Sequence, residues 1–182
     1  GPVRNARWPT RAARSEPTRT NSIVANSRTA AAVGFLALIR YSLPMPRTFR
    51  PLSTLSPTHV DQLVDLYQGE WWTGGRIRSD VETMLQGSDF IFAYEDGDGK
   101  LCAFARAITD GIFKAMIFDV IVRKDLRGTQ LGARIMQDIR THPVLSKVKH
   151  VELYCLPELQ AFYGQFGFSS DVSGTSMMRR SQ

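Results

Sequence analysis

The chain has 182 residues, 43% of them apolar, which is enough for one domain with a packed core and a short appendage. Its formal net charge of +6 suggests nucleic-acid binding, but that charge lies at the beginning of the chain. Residues 1–46 contain seven Arg and one acid, Glu16, whereas residues 47–182 contain 16 basic and 16 acidic residues. The neutral remainder excludes a basic binding face, so we expect no nucleic-acid partner.

Residues 1–45 are expected to form a basic, disordered, targeting or extra segment, separate from a domain over 46–182. The Arg-rich, Ser/Thr-rich and acid-poor composition is typical of an organelle transit peptide. Alternatively, Met45 is the natural start behind a Gly-Pro cloning scar, or the segment docks on the domain or on a partner. The apolar run 30–39 is too short for a bilayer, which needs about 20 residues. We therefore expect no membrane contact and a cytoplasmic location, with an organelle as the alternative.

The domain is expected to begin with a short strand at 49–52 and a helix whose N-cap is Ser56. Pro57 suits the first helical position, and apolar residues at helical spacing form one face until about Gly69. After the connection 70–75, Ser79 and Glu82 predict a capping box for a second short helix.

Three antiparallel strands are predicted at 90–95, 101–109 and 112–122, because Asp-Gly turn signals separate these apolar stretches. The remaining predicted elements are a helix at 129–140, a strand at 148–156, a short helix at 158–165 and a last strand at 174–180. This order indicates an α/β (α+β) domain of three layers. Its central sheet is mixed but mostly antiparallel, with helices on both faces.

The loop between strand 112–122 and the next helix has the features of a phosphate site. Backbone N–H groups at a helix N-terminus attract anions, and Arg127 adds a guanidinium suited to phosphate. A P-loop is excluded because its Gly-x-x-x-x-Gly-Lys-Ser/Thr string does not occur. A dinucleotide fingerprint is excluded because the loop comes late in the chain and has only Gly128 and Gly132.

This loop resembles motif A of the GNAT N-acetyltransferase superfamily, a strand followed by Arg/Gln-x-x-Gly-x-Gly/Ala and a helix. Val122, Arg127 and Gly132 match the pattern, whereas Gln130 stands where the family usually has glycine. A second match, Tyr-x-x-x-Gly-Phe, starts at Tyr163 at the family's spacing. The Asn often found seven residues earlier is Leu156 here. The resemblance covers residues 49–180.

The resemblance implies acetyl-coenzyme A as co-substrate, wedged between two diverging parallel strands. Its pantetheine arm would pair with the backbone of Val120, Ile121 and Val122, and its pyrophosphate would face the motif A loop. The residues implied at the pyrophosphate are Arg127, Gly128, Thr129, Gln130, Leu131, Gly132 and Ala133. The loop is favourable if the φ angle of Gln130 is negative, and costly if it is positive.

Two catalytic candidates follow from the same resemblance. Tyr163 occupies the position of the acid that protonates the departing thiolate, and the alternative is that it only packs beside Phe162 and Phe168. Asp119 is the candidate base or amine anchor, since an unpaired carboxylate in an apolar strand would be costly. Its alternative role is a structural salt bridge or a cap for a loop N–H.

The acceptor pocket is expected at the connection that contains Glu70, Trp71 and Trp72. Paired indoles beside an acid could hold an amine through cation–π attraction, although Trp residues at a helix end are more often core residues. Arg76 and Arg78 would suit an acidic acceptor equally well. A deep pocket walled by both indoles would favour a small amine, and an open groove a peptide.

The sequence therefore predicts an acetyl-CoA-dependent N-acetyltransferase that acts on the primary amine of a small molecule by direct transfer. The alternatives are a protein acetyltransferase acting on Lys or N-terminal amines and a non-catalytic acyl-CoA-binding module. No metal is expected, because the three His residues are scattered without acids or Cys at ligand spacing. Cys102 and Cys155 are expected as buried, unpaired thiols in strands. A homodimer is possible for this family, but no interface is apparent from the sequence.

Overall fold

The computed structural model describes residues 47–181, so the predictions for residues 1–45 lie outside the described part of the chain. Within it, five strands form one sheet in the order of the chain. The strands are β1 (Arg50–Leu52), β2 (Phe90–Glu95), β3 (Leu101–Thr109), β4 (Lys114–Val122) and β5 (His150–Leu153). Neighbours pair antiparallel except β4 and β5, which run parallel.

Four helices flank the sheet: α1 (Pro57–Gln68), α2 (Arg78–Gln86), α3 (Leu131–Thr141) and α4 (Gln160–Gly164). The predicted start of α1 is confirmed, since the Ser56 side chain accepts from the N–H of His59 and Pro57 takes the first position. The predicted capping box of α2 is wrong. This helix already begins at Arg78, and its N-cap has no side-chain hydrogen bond. Glu82 instead accepts a hydrogen bond from Arg78 Nε at 2.9 Å.

Each face of the sheet has its own apolar core. On one face, α1 and α2 cover a cluster centred on Leu63, Tyr67 and Phe104. On the other face, α3 and α4 cover a larger cluster that includes Ile135 and Tyr163. The three-layer architecture predicted from the order of the elements is therefore confirmed. None of the helices within 47–181 is both long and apolar enough to cross a membrane.

Strand β4 contains a β-bulge that changes which way its side chains point. Phe104 pairs with Ile121 and Arg106 with Phe118, so one residue of β3 lies opposite both Asp119 and Val120. Asp119 has a φ angle of 57°, the left-handed region that most side chains avoid. Because one residue is inserted, the Asp119 side chain points to the α1–α2 face rather than into the α3 core.

The C-terminal part differs from the sequence prediction. Strand β5 has four residues and ends at Leu153. Cys155 therefore lies beyond the strand and is exposed, which contradicts the prediction that it is buried. Cys102 is buried as predicted, and both cysteines are free thiols. The strand predicted at 174–180 does not form. Ser173 and Gly174 both have positive φ angles, and Met178 is 94% exposed. Little apolar burial is therefore available there to offset the entropy of ordering a strand.

Candidate functional site

The parallel strands β4 and β5 separate halfway along β4. Their last paired residues are Ile117 and Leu153, but β4 continues to Val122. Among the described residues, no strand pairs with the β5-facing edge of residues 118–122. The backbone groups of Val120 and Val122 face this edge and can pair with an extended ligand, whereas those of Ile121 face Phe104 of β3.

The loop after β4 leads to a helix N-terminus that lacks a side-chain cap. A 3-10 turn over Lys124–Leu126 ends at Arg127, and α3 begins at Leu131 without a side-chain hydrogen bond at its N-cap. Within 47–181, no backbone acceptor pairs with the N–H groups of Gly128, Gln130, Leu131, Gly132 or Ala133. Thr129 differs, because its N–H donates to Leu126 O at 3.3 Å. An uncapped helix N-terminus with free N–H groups is suited to an anion.

Gln130 has a φ angle of 68°, so the structure shows the costlier of the two conformations considered for it. The left-handed conformation costs a residue with a Cβ about 1–2 kcal/mol, whereas glycine adopts it readily. The preceding glycine, Gly128, also has a positive φ, and an added Cβ there would meet no atom within 4 Å. The loop is therefore strained at one position and open at the other.

Gly132 and Arg127 connect this loop with its surroundings. A Cβ on Gly132 would lie 3.5 Å from Phe162 and 3.7 Å from Val122, so the first turn of α3 packs closely on α4 and β4. The Arg127 side chain donates from Nε to Val122 O at 3.3 Å and forms an ion pair with Glu70. Arg127 therefore joins the loop to both the end of β4 and the segment after α1.

Tyr163 lies in α4 with its ring packed between Phe162 and Phe168, at centroid distances of 5.0 and 6.2 Å. Burial, and next the nearby Cys155, raise the pKa of Tyr163 to about 12. Within 47–181, no residue forms a hydrogen bond with the Tyr163 hydroxyl. Since every fully buried polar side-chain atom in that range has a hydrogen-bond partner, the unpartnered hydroxyl oxygen is not fully buried. The Tyr163 hydroxyl thus stays protonated at neutral pH and lies at the accessible end of a packed ring.

Asp119 lies at the centre of a buried polar cluster. Its Oδ1 accepts from Arg76 Nη2 at 3.1 Å, and its Oδ2 accepts from Arg106 Nε at 2.6 Å and from the Tyr67 hydroxyl at 3.1 Å. Burial acts to raise the pKa of Asp119, but the hydrogen bonds and charges of both guanidinium groups outweigh it and lower that pKa. This arrangement matches the salt bridge considered as the alternative to a catalytic base.

Sequence reasoning missed Arg106 and Tyr67 as members of this cluster. Arg106 is the one charged residue of β3. Asp119 is likewise the one charged residue in the apolar stretch 115–122 of β4. Opposite charges in two adjacent buried strands would have indicated the pair. Tyr67 gave no such signal, because its place on the apolar face of α1 is explained by packing alone.

The proposed acceptor residues lie at the surface after α1. Trp71 is 78% exposed and Trp72 is 40% exposed, so the two indoles do not wall a deep pocket. Glu70 is turned towards Arg127 of the motif A loop. Leu156, at the position of the family's Asn, is 38% exposed just before α4. Within 47–181, no group of three or more His, Cys, Asp or Glu could hold a metal ion.

Comparisons with known proteins agree with this geometry. The family model described as an acetyltransferase (GNAT) domain matches residues 86–170. GCN5-related N-acetyltransferase 1, chloroplastic, of Arabidopsis thaliana is 29% identical over 133 residues, which cover 72% of this chain and 67% of that protein. Serotonin N-acetyltransferase 2, chloroplastic, of Oryza sativa subsp. japonica is 33% identical over 87 residues, 46% of this chain and 44% of that protein.

A crystal structure likewise has this fold. A putative acetyltransferase of the GNAT family from Xanthomonas campestris pv. campestris superposes with a TM-score of 0.64 and 23% identity, covering 74% of this chain and 94% of that one. Proteins of this family generally use acetyl-CoA. Together with the two sequence motifs and the gap between β4 and β5, these matches show that residues 86–170 form an acetyltransferase (GNAT) domain.

Proposed function

We propose that this N-acetyltransferase uses acetyl-CoA and acetylates the primary amine of a small molecule by direct transfer. The observation that carries the proposal is the free edge of β4 beside an uncapped helix N-terminus. The edge begins after Ile117, and the free N–H groups begin at Gly128. An extended chain that ends in a pyrophosphate fits both features, because one offers strand pairing and the other offers anion binding.

Each part of the site has a role in this proposal. The backbone groups of Val120 and Val122 hold the pantetheine arm, and Ile121 between them keeps β4 paired with β3. Pyrophosphate binds at the motif A loop, where the free N–H groups belong to Gly128, Gln130, Leu131, Gly132 and Ala133, with Arg127 and Thr129 beside them. The open space beside Gly128 fits a close approach of phosphate to backbone. When bound, acetyl-CoA supplies the acetyl group as an activated thioester.

The two catalytic candidates differ in how well their surroundings suit them. Tyr163 keeps its proton, since its pKa is raised to about 12, and it can donate that proton to a leaving thiolate whose pKa resembles the Cys value of about 8.5. Asp119 is a weak base because its pKa is lowered and both its oxygens are occupied. We therefore assign Tyr163 as the acid, and assign Asp119 to holding Arg76 and Arg106 in place.

A small acceptor is supported by the relative whose printed name is serotonin N-acetyltransferase 2, which matches 46% of this chain. The exposed faces of Trp71 and Trp72 are available to stack on an aromatic or cationic acceptor. The same exposed indoles also permit a peptide acceptor. Acetylation of a protein Lys or N-terminus is therefore the outcome that would replace this part of the proposal.

We further propose that the protein acts in an organelle. Relatives in Arabidopsis and rice are named chloroplastic, and residues 1–45 have the composition of a transit peptide. Residues 1–45 fused to a fluorescent protein should enter plastids of plant cells, and the same segment with its seven Arg changed to Gln should not. Diffuse cytosolic fluorescence from the unaltered fusion would refute this location.

The acceptor is tested by measuring release of the CoA thiol from the full chain with a panel of amines. The panel contains serotonin, spermidine, a Lys-containing peptide and a peptide with a free N-terminal amine. Turnover of a small amine, lost in Tyr163→Phe and kept in Cys155→Ala, supports direct transfer with Tyr163 as the acid. Turnover of peptides alone would refute the small acceptor, and loss in Cys155→Ala would refute direct transfer.

A further inference from the structure

The polar cluster on the α1–α2 face contains more positive than negative charge. Arg76 and Arg106 both contact one carboxylate, that of Asp119, and no other acid within 47–181 forms an ion pair with either of them. The side chains of Arg106 and Asp119 are only 12% and 5% exposed. A buried cation that exceeds its counter-charge is costly, so the cluster is suited to receive one more negative group.

The two guanidinium groups also have hydrogen-bond donors to spare. Arg106 donates to Asp119 from Nε, and its two terminal nitrogens have no acceptor within 47–181. Arg76 donates from Nη2, while its Nη1 faces only the thioether of Met84 at 3.8 Å, a weak acceptor. Terminal guanidinium nitrogens bind the two oxygens of a carboxylate or phosphate particularly well.

The two arginines are held in place by aromatic rings. The guanidinium carbon of Arg76 lies 4.4 Å from the ring centroid of Tyr67, and that of Arg106 lies 4.4 Å from the centroid of Phe118. The Arg76 side chain is 30% exposed, so the cluster opens to solvent at this residue. Stacked and anchored guanidinium groups lose little freedom when they bind an anion.

The cluster lies beside the proposed site of transfer. Asp119 is two residues beyond Ile117, where the pairing of β4 with β5 ends, and its side chain points away from the α3 side of the sheet. Arg76 belongs to the segment between α1 and α2, which also carries Trp71 and Trp72. A ligand that contacts this segment would therefore meet the guanidinium groups within a short distance of the gap.

We propose that the acceptor carries an anionic group, a carboxylate or a phosphate, close to its amine, and that Arg76 and Arg106 bind this group. The inference rests on the proposed function and defines its acceptor class as small amino acids or amino phosphates. Acceptors that carry only positive charge, such as polyamines, are disfavoured because the cluster has a net positive charge. Asp119 then holds the two arginines rather than anchoring the amine.

Matched acceptors test this directly with the full chain. Serotonin and 5-hydroxytryptophan differ by one carboxylate, and ethanolamine and O-phosphoethanolamine differ by one phosphate. At least one anionic member should have a kcat/KM at least tenfold above its neutral partner, and the pair that responds identifies the anion. Turnover of small amines without a preference for either anionic member would overturn the inference.

Variants of neighbouring arginines separate an anion site from a general effect of charge. Arg76→Gln should lower the anionic-to-neutral ratio of kcat/KM by tenfold or more. Arg78→Gln is the matched control, because Arg78 is exposed and pairs with Asp61 and Glu82, so the ratio should be unchanged. The assignment to Arg76 would be contradicted if the ratio fell equally in both variants, or if it fell in neither variant. Thermal unfolding of each variant checks that it is folded.

Direct binding distinguishes failure of this inference from failure of the proposed function. 5-Hydroxyindole-3-acetate has the carboxylate without an amine, so calorimetry with the CoA-loaded protein measures anion binding without turnover. Binding that is weakened in Arg76→Gln and kept in Arg78→Gln supports the anion site, even if no amine is acetylated. The absence of acetylation would refute only the proposed function. Ethyl phosphate is the corresponding probe for a phosphate, and absence of binding of both probes to the unaltered protein would overturn the anion site.

Discussion

Replacement of Gln130 by glycine should stabilise the protein. Gln130 stands at a φ angle of 68°, where a residue with a Cβ loses about 1–2 kcal/mol relative to the right-handed conformation. Glycine removes this cost but gives the unfolded chain more freedom, which returns about 0.4–1 kcal/mol. The central values differ by about 0.8 kcal/mol, which corresponds to a Tm higher by about 2–5 °C for a domain between the two size classes of about 100 and 150 residues.

Gln130→Ala is the matched control, since it removes the side-chain amide and keeps the Cβ. Thermal unfolding of the two variants and the unaltered chain should give a higher Tm for Gln130→Gly alone. All three keep the backbone N–H of residue 130, so saturating acetyl-CoA should raise their Tm by equal amounts. A glycine variant with an unchanged or lower Tm, or an equal gain in Gln130→Ala, would refute strain as the cause.

Three further predictions concern the site. Tyr163→Phe should lower kcat about 10²–10⁴-fold, while acetyl-CoA should still raise the Tm of the variant. Because the pKa of Tyr163 is raised to about 12, the kcat of the unaltered protein should not fall between pH 7 and 10 through deprotonation of this acid. Asp119→Asn keeps a residue tolerant of positive φ but leaves two arginines unpaired, so chemical denaturation at pH 7 should show a loss of about 3 kcal/mol. Since the pKa of Asp119 is lowered in the folded protein, its stabilising effect is present above the ordinary carboxyl pKa of 3.8 and is lost on further acidification. The difference between the two proteins should therefore shrink below about pH 4, and a pH-independent difference would contradict the ion pairs. Glu70→Gln should tighten acetyl-CoA binding about two- to fivefold, as measured by calorimetry. The reason is that the ion pair between Glu70 and Arg127, worth about 0.5–1 kcal/mol, no longer competes with phosphate for the guanidinium group. Weaker binding would show that Glu70 positions Arg127 instead.

The sequence was a good guide to the fold wherever one periodic pattern determined an element. Ser56 and Pro57 fixed the start of α1, and the two Asp-Gly turns located the hairpins of β2, β3 and β4. These signals are local, since a cap or a turn depends on a few neighbouring residues. The predicted strand at 174–180 failed because a strand also needs a partner edge and buried surface, which local composition does not report.

The geometry of the candidate site follows from the sequence only in part. The free N–H groups before α3 follow from the loop composition, because a helix start without a capping side chain leaves its donors available. The left-handed conformation of Gln130 did not follow, since only the geometry required to join β4 to α3 selects it. The burial of Tyr163, and hence its raised pKa, depends on Phe162 and Phe168, whose packing is decided by the tertiary fold.

The bulge at Asp119 explains why strand alternation alone could not assign this residue a role. Regular alternation after Ile117 would place residue 119 in the α3 core, where a carboxylate has no partner. The inserted residue turns Asp119 to Arg76 and Arg106, and the bulge begins two residues after Ile117, the last residue of β4 that pairs with β5. Because a bulge bends its own strand, one insertion can both divert β4 from β5 and form the charged cluster beside the gap. In this protein the free edge of β4 and the proposed anion site are therefore two consequences of the same local distortion, so a change that removes the bulge should impair both together.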